Sequence, residues 1–263
     1  MDKSEVTVLT ASYNPGSFLK QAIDSVRSQT YSGWRHIIID DASTDDSLSL
    51  ISDHLQDPRV LLLRNKQNLG QSKAQNRGLE HVDTPYILML DSDDWLFPYT
   101  IEVLLEETKK VSEDVALICG NKQVIYEYGG KVLGQVSETW GQTFDDRYTF
   151  ILANYVPYPR LYRTSALLKV GGWPTDDPYE GRYLEDRRMD VKLIEHYKIH
   201  WIDRMLYNYR KREDSLSAKF SQINDMIEWN IRDALKRWGD HYEPVFQIKN
   251  GTKKLERLNP LNE

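Results

Sequence analysis

Over residues 1–110, short aliphatic or β-branched runs alternate with amphipathic stretches, and that rhythm admits few folds. A strand covered by helices on both faces is hydrophobic without a break, whereas a strand with one wet face alternates. The runs Val6 to Ser12, His36 to Asp40, Val60 to Arg64 and Tyr86 to Leu90 are mostly of the unbroken kind. Between them, Phe18, Ala22, Ile23 and Val26 recur at helical spacing, as do Leu48, Ile51 and Leu55. Ala74, Gly78 and Leu79 mark a third helix, and Pro98 to Lys110 a fourth with Ile101, Leu104 and Leu105 inward. The pattern predicts an α/β fold with a mostly parallel sheet and crossover helices.

After Val111 the texture changes. Val115 to Tyr126 and Lys131 to Val136 flank Gly129-Gly130 and predict a hairpin. Residues 140–217 are rich in aromatics, arginine, proline and glycine, with a helix expected over Glu185 to Tyr197 and a strand over His200 to Tyr209. Phe220, Ile223, Ile227, Ile231, Ala234 and Trp238 define a last helix, followed by a polar tail from Lys249 to Glu263. The expected organisation is 1–110 as one half of a domain, 111–218 as a site-building second half, and 219–263 as a helical extension.

The formal net charge of −6 argues against nucleic-acid binding, since the whole-molecule field repels phosphates. The longest apolar stretches fall far short of the ~20 residues that cross a bilayer. The start, Met1-Asp2-Lys3-Ser4-Glu5, lacks the features of a secretory signal, and the single cysteine, Cys119, sits in an apolar run with no base beside it. Together these predict a cytoplasmic protein in which Cys119 is a packing residue.

In open α/β sheets ligands gather at the carboxyl ends of the strands, so polar residues there carry extra weight. The first strand runs into Thr10-Ala11-Ser12-Tyr13-Asn14, the second into Asp40-Asp41-Ala42-Ser43 and the fourth into Asp91-Ser92-Asp93-Asp94. Asp91 and Asp93 are two apart, so on an extended strand both carboxylates point to one face and invite Mg²⁺ or Mn²⁺. The same acids also read as the cap of the following helix. Asp41 reads either as a turn residue or as an acceptor for a base N–H, with Tyr13 offering a stacking face. Neither G-x-G-x-x-G after the first strand nor G-x-x-x-x-G-K-[ST] anywhere occurs, which removes the main support for NAD-type and ordinary NTPase readings.

The ordered set Thr10-Ala11-Ser12-Tyr13-Asn14, Ile37 to Asp45, Asn68-Leu69-Gly70, Asn76-Arg77-Gly78, Leu90 to Asp94, Gly171-Gly172-Trp173 and Glu185-Asp186 resembles the inverting family 2 glycosyltransferases. The resemblance covers Val6 to Ser217 and implies the GT-A fold: a mostly parallel Rossmann-like sheet, an acceptor-side subdomain and here a C-terminal helical extension. It implies a donor site built from Thr10, Ser12, Tyr13, Asn14, Asp41, Arg77, Asp91 and Ser92. Asp93 is the implied metal ligand, with Asp91 as second ligand or ribose contact, and Asp94 stays open between metal, sugar and cap. Asp186 is the implied catalytic base, with Glu185 as the alternative. Arg210, Arg212, Ser215 and Ser217 fall where the family carries a loop that closes on the donor diphosphate. Trp140, Tyr155 and Tyr158 are among the aromatics that suit either core packing or an acceptor surface.

The activity so implied is metal-dependent inverting transfer of a sugar from a nucleoside diphosphate donor, UDP-linked, to a saccharide, lipid-linked or other hydroxyl acceptor in polysaccharide or glycoconjugate synthesis. The last helix then packs on its own domain, pairs with a second copy or lies on the inner membrane face. A nucleotide-sugar-binding scaffold without catalysis and a sugar nucleotidyltransferase are the alternatives, the latter weakened because Thr10 to Ser17 is not a Gly- and Lys/Arg-rich phosphate loop.

Overall fold

The computed structural model describes residues 4–212, 219–239 and 241–261. Strands β1 (Val6–Ser12), β2 (Trp34–Asp40), β3 (Val60–Arg64) and β4 (Tyr86–Met89) form a parallel set in the spatial order β3-β2-β1-β4. β1 is buried along its whole length, as its unbroken hydrophobicity requires. Helix α1 (Phe18–Arg27) buries Leu19, Ala22, Ile23 and Val26 on one stripe. Helix α2 (Gln71–Leu79) lies so close to the sheet that a Cβ on Gly78 would stand 2.5 Å from Leu9 and 2.8 Å from Ile39. Only glycine permits that approach.

One expected helix is absent. The stretch from Leu48 to Leu55 makes two short 3₁₀ turns, Ser49–Ile51 and His54–Gln56. Its serines and aspartates take up local backbone bonds, as Ser49 does by donating to the Asp46 carbonyl at 2.6 Å, and this competes with a regular helix.

The second half extends the sheet. After β5 (Trp95–Leu96) and α3 (Thr100–Thr108), the long strand β6 (Val115–Tyr128) turns through Gly129-Gly130 into β7 (Lys131–Glu138), the expected hairpin. α4 (Arg147–Ala153), β8 (Tyr158–Arg163), α5 (Thr164–Lys169), α6 (Glu185–Leu193) and β9 (Lys198–Lys211) follow. Among the described residues the sheet has nine strands in the order β3-β2-β1-β4-β8-β6-β9-β5, with β7 on β6. β8 is antiparallel to both β4 and β6, while β9 runs parallel to β6. β8 thereby welds the two halves into one sheet.

Helix α7 (Phe220–Trp238) packs Ile231, Ala234, Leu235 and Trp238 into the main core. The expected polar tail is instead a hairpin, β10 (Tyr242–Lys249) and β11 (Thr252–Pro260), turning at Asn250-Gly251 with φ of 50° and 79°. Leu255 enters the main core, and Asn154 fixes that strand by accepting from the Leu255 N–H at 2.9 Å and donating to its carbonyl at 2.8 Å.

Candidate active site

The sheet reverses its order between β1 and β4, so the crevice outside their carboxyl ends is where a ligand fits. The turn 91–94 leaves β4 into that crevice. Opposite it, α6 begins with Glu185 and Asp186. One side chain joins them. Arg160 on β8, 3% exposed, donates to Asp186 Oδ2 at 2.8 Å and reaches Asp91 Oδ2 at 3.4 Å, with its guanidinium 4.7 Å from the Tyr158 ring centre. Residues separated by 95 positions in sequence therefore share one buried cation.

The surrounding acids are crowded. Loss of water, reinforced by the Asp93 and Asp186 charges and opposed by Arg160, holds Asp91 above the usual carboxylate range. Burial, then Asp93 and Asp91, pushes Asp94 well above it. Glu185 is raised to about 8 by burial and by its neighbours Asp186 and Asp91. Behind them Asp190, fully buried with Oδ1 accepting from the Tyr162 hydroxyl at 2.8 Å, is raised to about 7, chiefly by burial. Asp93 instead meets a cation, Arg212, at 2.8 Å.

Among the described residues no group of three or more His, Cys, Asp or Glu side chains gathers closely enough to hold a metal alone. Asp91 and Asp93 do offer partly exposed carboxylate oxygens, a donor set that suits a hard divalent cation completing its shell from water and a diphosphate.

The remaining expected residues divide by position. Tyr13 stands 52% exposed at the mouth of the crevice. Ser12, directly before it, is buried, and its hydroxyl has no hydrogen-bond partner. Ser92 is half-buried in the turn after β4. Asn14, at φ 48°, accepts from the Thr44 and Asp45 N–H groups at 2.7 and 3.3 Å, stitching the loops after β1 and β2 together. Arg77 donates to Asn65, which donates to Asp41 at 2.6 Å. Ser215 lies outside the described residues.

Three expected donor-site residues are buried in this structure. Thr10 is fully buried and bonded to His36 at 3.0 Å, so it belongs to the core under the crevice rather than to its lining. Asp41 is buried, and its oxygens accept from Asn65 and from the Leu69 and Gly70 N–H groups at 2.9 Å each. In this structure it anchors the 65–70 loop. Arg210 is a buried strut: its N–H donates to Asp94 at 2.7 Å, its Nε to the Asp93 carbonyl at 2.8 Å, and its other nitrogens to Glu127 and Gln21. It shapes the acidic turn, and Arg212 is the cation that faces it.

Two positioning features were not foreseen. Arg160 is one. The other joins two motifs, because Asn76 donates to the Trp173 carbonyl at 2.7 Å and accepts from the Trp173 N–H at 2.8 Å. Gly172, at φ 74°, leaves no room for a side chain, since a Cβ would lie 2.5 Å from Asn76 Oδ1. This latch holds the second half of the chain against α2.

A curled, mostly parallel sheet with acids at its switch point and a second acidic pair across the crevice defines the GT-A class of glycosyltransferase folds. The family model "Glycosyl transferase family 2" matches residues 7–171, more than half of the chain, and the chain belongs to that family. Glycosyltransferase GlyA of Streptococcus pneumoniae serotype 4 is 26% identical over 233 residues, covering 83% of this chain and 32% of that protein. The chain thus spans about a third of that relative's length. Staphylococcus aureus TarS 1–349 in complex with UDP-GlcNAc superposes with a TM-score of 0.67 at 16% identity, covering 86% of this chain and 66% of TarS. Mannosyltransferase PcManGT of Pyrobaculum calidifontis, in complex with GDP-Man and Mn²⁺, gives 0.61 at 14% identity, with 89% and 65% covered. No helix among the described residues is long and apolar enough to cross a membrane.

Proposed function

We propose that the chain is a metal-dependent inverting glycosyltransferase that moves a sugar from a nucleoside diphosphate donor, UDP-linked, to a hydroxyl acceptor in polysaccharide or glycoconjugate synthesis. The observation that carries this is the Arg160 bridge, which brings Asp91 on the donor side and Asp186 on the other into one cluster. Two structural neighbours in complex with nucleotide sugars, one with UDP-GlcNAc and one with GDP-Man and Mn²⁺, support a nucleotide-sugar donor.

In this reading Tyr13 offers its ring to the base, and Asp91 and Asp93 hold a divalent cation. That cation, Mn²⁺ or Mg²⁺, supplies charge neutralisation to the leaving diphosphate. Arg212, released from Asp93, turns to the same phosphates. Asp186 is oriented by two bonds, Oδ2 to Arg160 and Oδ1 from the Arg187 N–H at 2.6 Å. It takes the acceptor proton as the hydroxyl oxygen bonds to the anomeric carbon and the bond to the diphosphate breaks, its electron pair leaving with the nucleotide. One in-line displacement inverts the centre, and one base suffices.

The deciding experiment measures nucleotide release from a panel of UDP- and GDP-sugars, with and without Mn²⁺ or Mg²⁺ and acceptors. Metal-dependent release is expected. Tight binding without turnover for every donor rejects the enzyme and leaves the scaffold reading.

A further inference from the structure

Tyr158, whose ring stacks with Arg160 of the acidic cluster, also lines a cleft of about 560 Å³. Its walls include Lys122 of β6, Glu138 of β7, Trp140, Tyr155, Tyr158 and Lys254 of β11. The cleft and the candidate base are one ring apart: Tyr158 carries Arg160 at 4.7 Å and Lys122 at 4.3 Å from its ring centre, and Arg160 holds Asp186. Trp140, 62% exposed and edge-on to Tyr155 at 5.5 Å, is free to cover a sugar ring.

The walls carry two lysines and one carboxylate. Lys122 pairs with Glu138 at 3.3 Å and also feels the Asp94 charge. Lys254 forms no ion pair or side-chain hydrogen bond with any described residue. Arg187, next to Asp186 in the first turn of α6 and behind the lining of the cleft, is only 6% exposed; the Asp186 and Asp190 charges act on it, but its guanidinium makes no hydrogen bond or ion pair with a described residue and its buried Nε is unsatisfied. Burial, and then the charges of Arg187 and Lys122, lower the Lys254 ammonium below its ordinary value. In a chain of formal net charge −6, such a concentration of cations stands out. A buried guanidinium without a partner is costly unless a ligand supplies one.

We propose that this cleft is the acceptor subsite and that it selects an acceptor carrying an oxyanion, phosphate or carboxylate, beside the hydroxyl that is glycosylated. The inference rests on the transferase reading and deepens it. Trp140 and Tyr155 supply the ring surface, Lys254 and Lys122 receive the anion, and Arg187 ties that anion to the segment carrying Asp186, so that a charged acceptor arrives oriented toward its base.

The test uses the full chain saturated with UDP and Mn²⁺, titrated by ligand-observed NMR with matched pairs: glycerol 3-phosphate against glycerol, and glucuronate against glucose. At least a tenfold tighter binding of one anionic member over its neutral partner is expected, weakening at least threefold in 0.5 M NaCl. The phosphate and carboxylate arms identify which oxyanion is preferred. Lys254→Ala should remove most of the preference and Lys254→Arg restore it, with UDP affinity and the far-ultraviolet spectrum retained in both. Equal binding of charged and neutral partners, or an undiminished preference in Lys254→Ala, overturns the proposal. UDP that fails to bind while the anion preference persists overturns the transferase reading instead, and with it the acceptor role of the cleft.

Discussion

Arg160 offers the sharpest test of how the two sides of the crevice are coupled. Its guanidinium sits 2.8 Å from Asp186 and 3.4 Å from Asp91. At charge separations of about 4 Å and an effective dielectric constant of about 20, each pair interacts by about 4 kcal/mol. The carboxylates are 17% and 25% exposed, so water screens part of this interaction. In Arg160→Met, Asp186 loses its cation while Glu185, Asp91 and Asp94 remain, all of them already raised. The acid limb of the pH–rate profile should therefore move to higher pH, with activity at pH 6 falling at least tenfold and largely recovering near pH 8.5. Arg160→Lys keeps the charge but loses the two-pronged reach, and its limb should fall between. Breaking a buried pair costs about 3–5 kcal/mol, so the melting transition and nucleotide affinity are measured on the same samples. A uniform loss of rate with an unmoved acid limb refutes the electrostatic role and leaves Arg160 as packing.

Asp186→Asn should retain metal-dependent nucleotide binding and lose transfer by at least about a hundredfold, as expected for a general base; equal loss of both, or a larger loss in Glu185→Gln, moves the base to Glu185. Asp93→Ala should abolish the Mn²⁺-dependent part of donor affinity, and undiminished affinity by calorimetry removes Asp93 from the site. Asn76→Ala deletes two bonds to the Trp173 backbone and should cost about 1–3 kcal/mol in urea unfolding. Gly172→Ala should cost about as much through its left-handed backbone and the clash with Asn76, and the double variant should fall short of the sum by at least about 0.5 kcal/mol, because the clash vanishes with the asparagine. Asp190, raised to about 7 when folded against 3.8 as its ordinary value, makes the folded state hold a proton that the unfolded chain releases. Its contribution to stability should decline as pH rises from about 4 to about 7 and then level, by up to about 4 kcal/mol; Asp190→Asn should flatten that slope in melts from pH 4 to 8.

The parallel half of the fold was legible because its signals are local. An unbroken hydrophobic run needs no distant partner to be read as a doubly covered strand, and the strand-end acids follow at once. Where the reading went astray, the deciding partner lay far along the chain. On a strand buried on both faces, burial does not distinguish Thr10 from its neighbours; His36, on the adjacent strand, decides that it belongs to the core. Arg210 and Arg212 share parity at the end of β9, so alternation cannot separate them, and it is Glu127 and Gln21 that bury the first and leave the second beside Asp93. Arg160 stands in Tyr158–Arg163, a strand with two arginines and a proline whose burial is explained only by acids 69 and 26 residues away. The last hairpin is different, since Asn250-Gly251 was a readable turn signal; beyond that turn only Leu255 and Leu258 pack on the main core, so the stretch from Lys249 resembled a tail. The chain therefore states its sheet locally and its site only in three dimensions. Charges held apart in sequence acquire their chemistry when one buried guanidinium brings them together, and this is why substitutions at Arg160 probe the proposed reaction more directly than those at any strand-end acid taken alone.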